Sequence, residues 1–335
     1  MESWQSHLNA NPTDWLLEDT NPSVRYLALT QLMDAPETDA AVKAARRAVM
    51  DTGYVPALLH KLFEPDSVAA WPRFYTNKYQ GLVWSLIVLA EHRAARTPQV
   101  ETLCEYLLTH AQETAQGGFS QHEAIKAGGG RLSEVIPCLT GNMVWALTVL
   151  GYGQDGRVQR GLMWLVRYLR LNDGVMIEPQ DAPYDRLEAC WGAHTCHMGV
   201  VKALKAYGAV PEDSRDPALQ AAVGRAAEFM LIHNVDRRSH NLSRIAKPGW
   251  RKPGFPLMYH TDTLETLDVL TALGYRDPRM GEAVEAMLMK QDERGRWHNE
   301  NPYASERLLI PMEVGGEPSK WLTLRALRVM KRYFG

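Results

Sequence analysis

The chain has little of what usually announces a function. Only four cysteines occur in 335 residues, Cys104, Cys138, Cys190 and Cys196. That is too few for the disulfide framework of a small secreted domain, so they are expected as thiols or metal ligands. No charge of one sign dominates: 37 Lys and Arg stand against 39 Asp and Glu. Nothing in that balance would draw in nucleic acid or an anionic membrane, and no nucleic-acid partner is expected. No apolar run is long enough to span a bilayer, and the opening MESWQSHLNANPTDW has neither a basic start nor an apolar stretch. The expectation is a cytoplasmic protein with no transmembrane segment. Gly-x-Ser-x-Gly and His-Glu-x-x-His are also missing, and Gly128-Gly129-Gly130 is not followed by Lys-Ser/Thr. No nucleotide cofactor is therefore expected.

What is present is apolar and repetitive. At 45% hydrophobic the chain can bury a large core, yet its length exceeds what one simple core usually supports, which points to repetition or a second domain. The segments from Leu147 (LTVLGYGQDGRVQRGLMWLVRYL) and from Leu270 (LTALGYRDPRMGEAVEAMLMK) align. Each reads as an apolar helix closed at Leu-Gly-Tyr, a tight turn, and a second, amphipathic helix. Gly151 and Gly274 suit the left-handed residue that closes a helix, and Pro278 the first turn of the next one. Looser copies start near Asn21, Tyr79 and His194, and SKWLTLRALRVMKRYF ends the chain. The unit is a helical hairpin of about sixty residues, with apolar first helices starting near 22, 79, 141, 194, 261 and 318 and charged stripes on their partners. An inner layer of helices behind an outer one follows, in an all-α fold. Periodicity alone allows an open solenoid as well as a closed ring.

The segment Gln291-Asp-Glu-Arg-Gly295-Arg-Trp297 fits the Gln-x-x-x-Gly-x-Trp repeat of squalene and oxidosqualene cyclases. Degenerate versions occur at Arg170, Gly174 and Met176, and at Gln112 with Gly117, Gly118 and Phe119. On these residues the chain resembles the terpene cyclase and protein prenyltransferase superfamily over most of its length. The resemblance implies a single α/α-toroid domain over 1–335, with about six inner and five to six outer helices. It places an active site in a central cavity, reached where the inner helices begin. In the motif, Gly releases the chain while Gln and Trp tie one outer helix to the next, so Gln291 and Trp297 read as a stability device.

Inner-helix N-termini gather free N–H groups and dipoles, and the residues there are polar or sulfur-bearing. Tyr79, Asn142, His197, Lys320 and Trp321 are candidates for contact with a small, partly apolar substrate. The richest stretch is Cys190-Trp-Gly-Ala-His194-Thr-Cys196-His197. Imidazole and thiolate together suit Zn²⁺. Prenyltransferase β subunits hold zinc with an Asp-x-Cys pair and a His in a Tyr-His-Thr context; here His194-Thr-Cys196 and Tyr259-His260-Thr261 take those places, so the resemblance implies His194, Cys196 and His260 as zinc ligands. The alternative is capping or cavity-lining histidines and packed thiols. The chain departs from the family twice. Asp is replaced by His194, and upstream only Arg186 could grip a diphosphate. Aligned on the acid motif of class II cyclases, Asp-x-Asp-Asp-Thr, the acid position is Thr261, which cannot protonate an alkene. Asp262 remains as a general acid or base, or as a helix cap; Tyr259 stands beside it, and Cys138 is either a nucleophile or a packed thiol. The expected activity is lyase, cyclase or transferase chemistry by acid–base or zinc assistance. The alternative is a non-catalytic helical-repeat binding protein or scaffold.

Overall fold

The computed structural model describes residues 4–172, 188–191 and 194–335. Gly174, Met176 and Arg186 lie outside the described residues. Capping chemistry sets most helix starts. Asn21 caps α1 (Pro22–Gln31), Asp39 caps α2 (Ala40–Asp51), and Gly53 precedes α3 (Tyr54–Leu62). α4 (Leu82–Glu91) is followed by α5 (Pro98–His110), where the Thr97 side chain accepts from the Val100 N–H. α6 (Pro137–Leu147) leads to α7 (Gly156–Tyr168), and α8 (His197–Gly208) to α9 (Pro217–Ile232). α10 (Thr263–Ala272) and α11 (Gly281–Leu288) precede α12 (Lys320–Phe334), which Ser319 caps. Proline at the first helical position of α1, α5, α6 and α9 has φ already set for a helix. Among the described residues the only sheet is the hairpin β1 (Arg237–Arg238) with β2 (Asn241–Ile245). The fold is all-α.

The two kinds of helix separate as the residue pattern requires. Every residue of α6 is buried, and in α4 all but Glu91; α7 buries only one stripe, Val158, Gly161, Leu162, Trp164 and Leu165. Each apolar helix packs on the next in the order α4, α6, α8, α10, α12, and α12 packs on α1. Behind them α1 packs on α2, α4 on α5, α6 on α7, α8 on α9 and α10 on α11. One hydrophobic cluster runs from Leu16 to Met330.

The repeat is also visible in its connections. Gly151 and Gly274 both have positive φ, 93° and 87°. After each, an aspartate caps a turn and grips an arginine that reaches the previous outer helix: Asp155, Arg157 and Glu105 in one copy, Asp277, Arg279 and Glu228 in the other. The Gln291 segment binds backward and forward. Gln291 donates to the His7 carbonyl and accepts from the Asn9 N–H, while the Trp297 N–H donates to Thr323 Oγ1 on α12 at 3.0 Å. Its degenerate copy repeats the last contact, the Phe119 N–H donating to Thr140 Oγ1 on α6 at 2.9 Å.

Candidate functional site

At the N-terminal ends of the inner helices the loop before α10 fills the space. Pro253 through Met258 are buried, Phe255 stacks on Trp321 with centroids 4.6 Å apart, and Asn142 donates to the Met258 carbonyl at 2.9 Å. Above this lies an aromatic cluster. The Tyr79 ring is 5.1 Å from Trp84, 6.2 Å from Tyr259 and 5.8 Å from Tyr303. The Lys78 ammonium sits 4.9 Å from the Tyr75 ring and 4.6 Å from that of Tyr259. Tyr79, Tyr259, Asn142 and Trp321 therefore belong to one packed region. Lys320 does not: it pairs with Glu18 and bonds Thr20.

Asp262 is fully buried and caps α10, accepting from the N–H groups of Glu265 at 2.7 Å and Gly254 at 3.0 Å. Burial pushes its carboxyl up to about 6, because the two N–H donors and the Arg325 charge only partly offset lost hydration. Burial draws the neighbouring His260 down to about 4. Cys138 is buried and its thiol pushed well above the ordinary value by burial, which keeps it protonated and a poor nucleophile at neutral pH.

His194, Cys196 and His197 line a separate cleft of about 250 Å³ with Arg238, Lys247 and Trp250. The His194 ring faces His240 at 5.2 Å, and the His197 ring packs on Phe229 and His233. The His260 ring lies instead against Tyr259 and Tyr303. Among the described residues no group of three or more His, Cys, Asp or Glu side chains is arranged to hold a metal ion. His194 and Cys196 thus share one cleft, and His260 packs on the aromatic cluster.

The larger space lies at the other ends of the same helices. A cavity of about 400 Å³ is lined from α1 (Leu27, Gln31), α4 (Glu91), α6 (Trp145), α8 (Leu204, Lys205), α10 (Glu265, Asp268, Val269, Ala272) and α12 (Trp321, Leu324, Arg325, Arg328, Arg332), with Arg93, Thr148 and Val149. At the helix starts Phe255 and its loop pack against α6 and α12, leaving the cleft of about 250 Å³ beside His194 and Cys196 at the start of α8.

The cavity wall is a network of charges on otherwise apolar helices. Glu91 pairs with Lys205 at 2.6 Å and Arg325 at 3.6 Å. Glu265 pairs with the buried Lys202 at 2.6 Å and with Lys205 at 3.4 Å. Asp268 pairs with Arg332 at 2.9 Å, with Arg325 at 3.7 Å and with Arg328. Burial alone would raise these carboxyls. The facing cations overcome it and hold Glu91 and Glu265 at about 2 and Asp268 below its ordinary value. Lys205 also lies over the Trp145 ring at 3.6 Å.

Reading helix starts alone finds only Trp321 of this wall. The signal that marks it is charge at helical spacing inside apolar helices: Lys202 and Lys205, Glu265 and Asp268, and Arg325, Arg328 and Arg332, each set on one face. An inner helix has no solvated face for such residues, so they must meet one another or a ligand. No family model matches the chain and no curated protein does.

Proposed function

We propose that this chain is an enzyme-like α/α toroid of the prenyltransferase and squalene-cyclase type that takes a small, partly apolar molecule into its central cavity. One observation carries the reading: all six apolar helices contribute to a single cavity of about 400 Å³, within the size range of small-molecule sites. Leu27, Trp145, Val269 and Leu324 stand beside charged groups in its wall, so a ligand with one apolar and one polar end suits it. The neighbour order from α4 through α12 to α1, with α2, α5, α7, α9 and α11 behind, supports a ring of inner helices inside a ring of outer ones.

The chemistry proposed is acid–base, in a lyase, cyclase or transferase. Asp262, whose carboxyl at about 6 is close to neutrality, stands behind the wall one helical turn before Glu265, and as the candidate proton carrier it would exchange protons with the cavity through that residue. The alternative is a binding protein without catalysis, favoured by the pairing of all three wall carboxylates with cations.

A titration series of arylalkyl carboxylates with their amides, alcohols and phosphate esters tests the cavity. Ala272 is exposed at its rim, and Ala272→Trp sets an indole there at little cost to the fold. Wild type should bind members of the series by calorimetry, and Ala272→Trp should bind them about tenfold or more weakly. Equal binding by the two proteins, or none by either, removes the cavity reading. Incubation with extracted metabolites tests catalysis: Asp262→Asn should retain binding and stop the consumption that wild type shows. Absence of consumption by wild type leaves the binding alternative.

A further inference from the structure

The cavity wall holds more cations than its carboxylates can use. Arg93, Lys205, Arg325, Arg328 and Arg332 stand against Glu91, Glu265 and Asp268, and Lys202 behind the wall adds another cation to the pair with Glu265. Helix C-termini face this space and carry partial negative charge that favours cations in general. A dipole field does not satisfy individual N–H donors, and two guanidinium groups here have donors to spare.

Arg325 is almost fully buried, and its Nη1 has no hydrogen-bond partner among the described residues. Its contacts to Glu91 and Asp268, at 3.6 and 3.7 Å, are ion pairs beyond hydrogen-bond length. A buried charged donor left unmatched is costly and calls for an acceptor. Arg93 follows His92 at the end of α4 with φ of 57°, the left-handed residue that closes the helix as the Ala94 N–H donates to the Leu89 carbonyl at 3.0 Å. Its carbonyl accepts from Arg46, its N–H donates to the Ala90 carbonyl at 3.0 Å, and no carboxylate among the described residues lies within ion-pair distance of its guanidinium. The fold thus sets Arg93 beside the cavity with no carboxylate paired to its guanidinium among the described residues.

Resting on the cavity reading, we propose that the ligand carries an oxyanion, a carboxylate or a phosphate, taken by Arg93 and Arg325, while its apolar part lies toward Trp145, Leu324 and Val269. A guanidinium presents paired N–H donors that match two oxygens of such a group. The paired carboxylates of the wall would then position the two arginines, and the oxyanion would complete their coordination.

The same ligand series, read by acid against amide, tests this. Wild type should bind an arylalkyl carboxylate or its phosphate ester about tenfold or more tightly than the amide or alcohol of the same skeleton. Inorganic phosphate titrated alone distinguishes a site that reads the phosphoryl group from one that reads a carboxylate. Arg93→Asn removes the guanidinium and leaves a residue that accepts positive φ; it should abolish the acid preference, and Arg93→Lys should restore part of it. Arg325→Gln, with circular dichroism as the check on folding, should act in the same direction. Equal affinity for acid and amide overturns the oxyanion inference and leaves the cavity reading intact. Failure of every member of the series to bind overturns both. An acid preference unchanged in Arg93→Asn and Arg325→Gln shows that other residues make it, and overturns the assignment.

Discussion

His92 follows α4 with its ring stacked on Tyr54 at 4.9 Å and edge-on to Trp321 at 4.8 Å, Nδ1 donating to the Val88 carbonyl at 2.9 Å. Burial draws its pKa from 6.5 to about 4. A base whose folded pKa is depressed stays neutral in the fold while the unfolded chain takes up the proton. Its contribution is therefore complete above about pH 6.5 and is lost as pH falls toward 4, reaching about 3 kcal/mol at the acid end. Denaturant titrations between pH 7 and 4 should show this fall in wild type and a shallower one in His92→Phe, which keeps the stack. Parallel slopes would mean that other groups carry the acid sensitivity. At this scale the sequence was legible where a residue acts locally, as in the cap that Asp262 makes on α10. Of the cavity residues only Trp321 was legible, because Lys205, Arg325 and Asp268 take their meaning from partners on other helices, and no local pattern says which charges will meet.

Between residue and molecule stands the hairpin, whose ends are tied by a recurring device. The N–H of an aromatic that follows a left-handed glycine donates to a threonine hydroxyl in the first turn of the next inner helix, Phe119 to Thr140 and Trp297 to Thr323. The N–H of Trp297 is buried with it, so removing its acceptor should cost about 1 to 2 kcal/mol. Thr323→Val, nearly equal in volume, should show that loss by thermal or denaturant unfolding, and Thr140→Val a similar one. A loss below about 0.5 kcal/mol in both would deny the contact a structural role. The hairpins were the most legible part of the chain. Apolar helices expected near 22, 79, 141, 194, 261 and 318 begin at Pro22, Leu82, Pro137, His197, Thr263 and Lys320, because periodicity, proline and capping residues are local signals. The loop before α10 was opaque: Phe255 is one aromatic between prolines, and nothing in its neighbourhood tells of insertion between helices.

Over the whole molecule, burial is graded from the inside outward. α4, α6 and α8 touch neighbours on nearly every face, whereas α2, α7 and α11 keep one face in solvent. Hydrogen exchange should follow that gradient, with the central amides of α4, α6 and α8 exchanging only by global opening and those of α2 and α11 by smaller openings. Uniform protection across both layers would contradict it. The sequence of contacts also has a seam. α12 lies on α1, where Arg328 bonds Gln31 across a separation of 297 residues and Lys331 reaches the Leu32 carbonyl and Asp34. Every other junction between inner helices joins consecutive hairpins, so it can form while the rest of the chain is still disordered; this one needs both extremes together. The entropy of closing so long a loop rises only with the logarithm of its length, about 2 kcal/mol above a loop one-tenth as long, so the seam is not weak once made. The cavity takes its wall from both sides of this seam, Leu27 and Gln31 on α1 and Leu324, Arg328 and Arg332 on α12, so it exists only where the two ends of the chain have met.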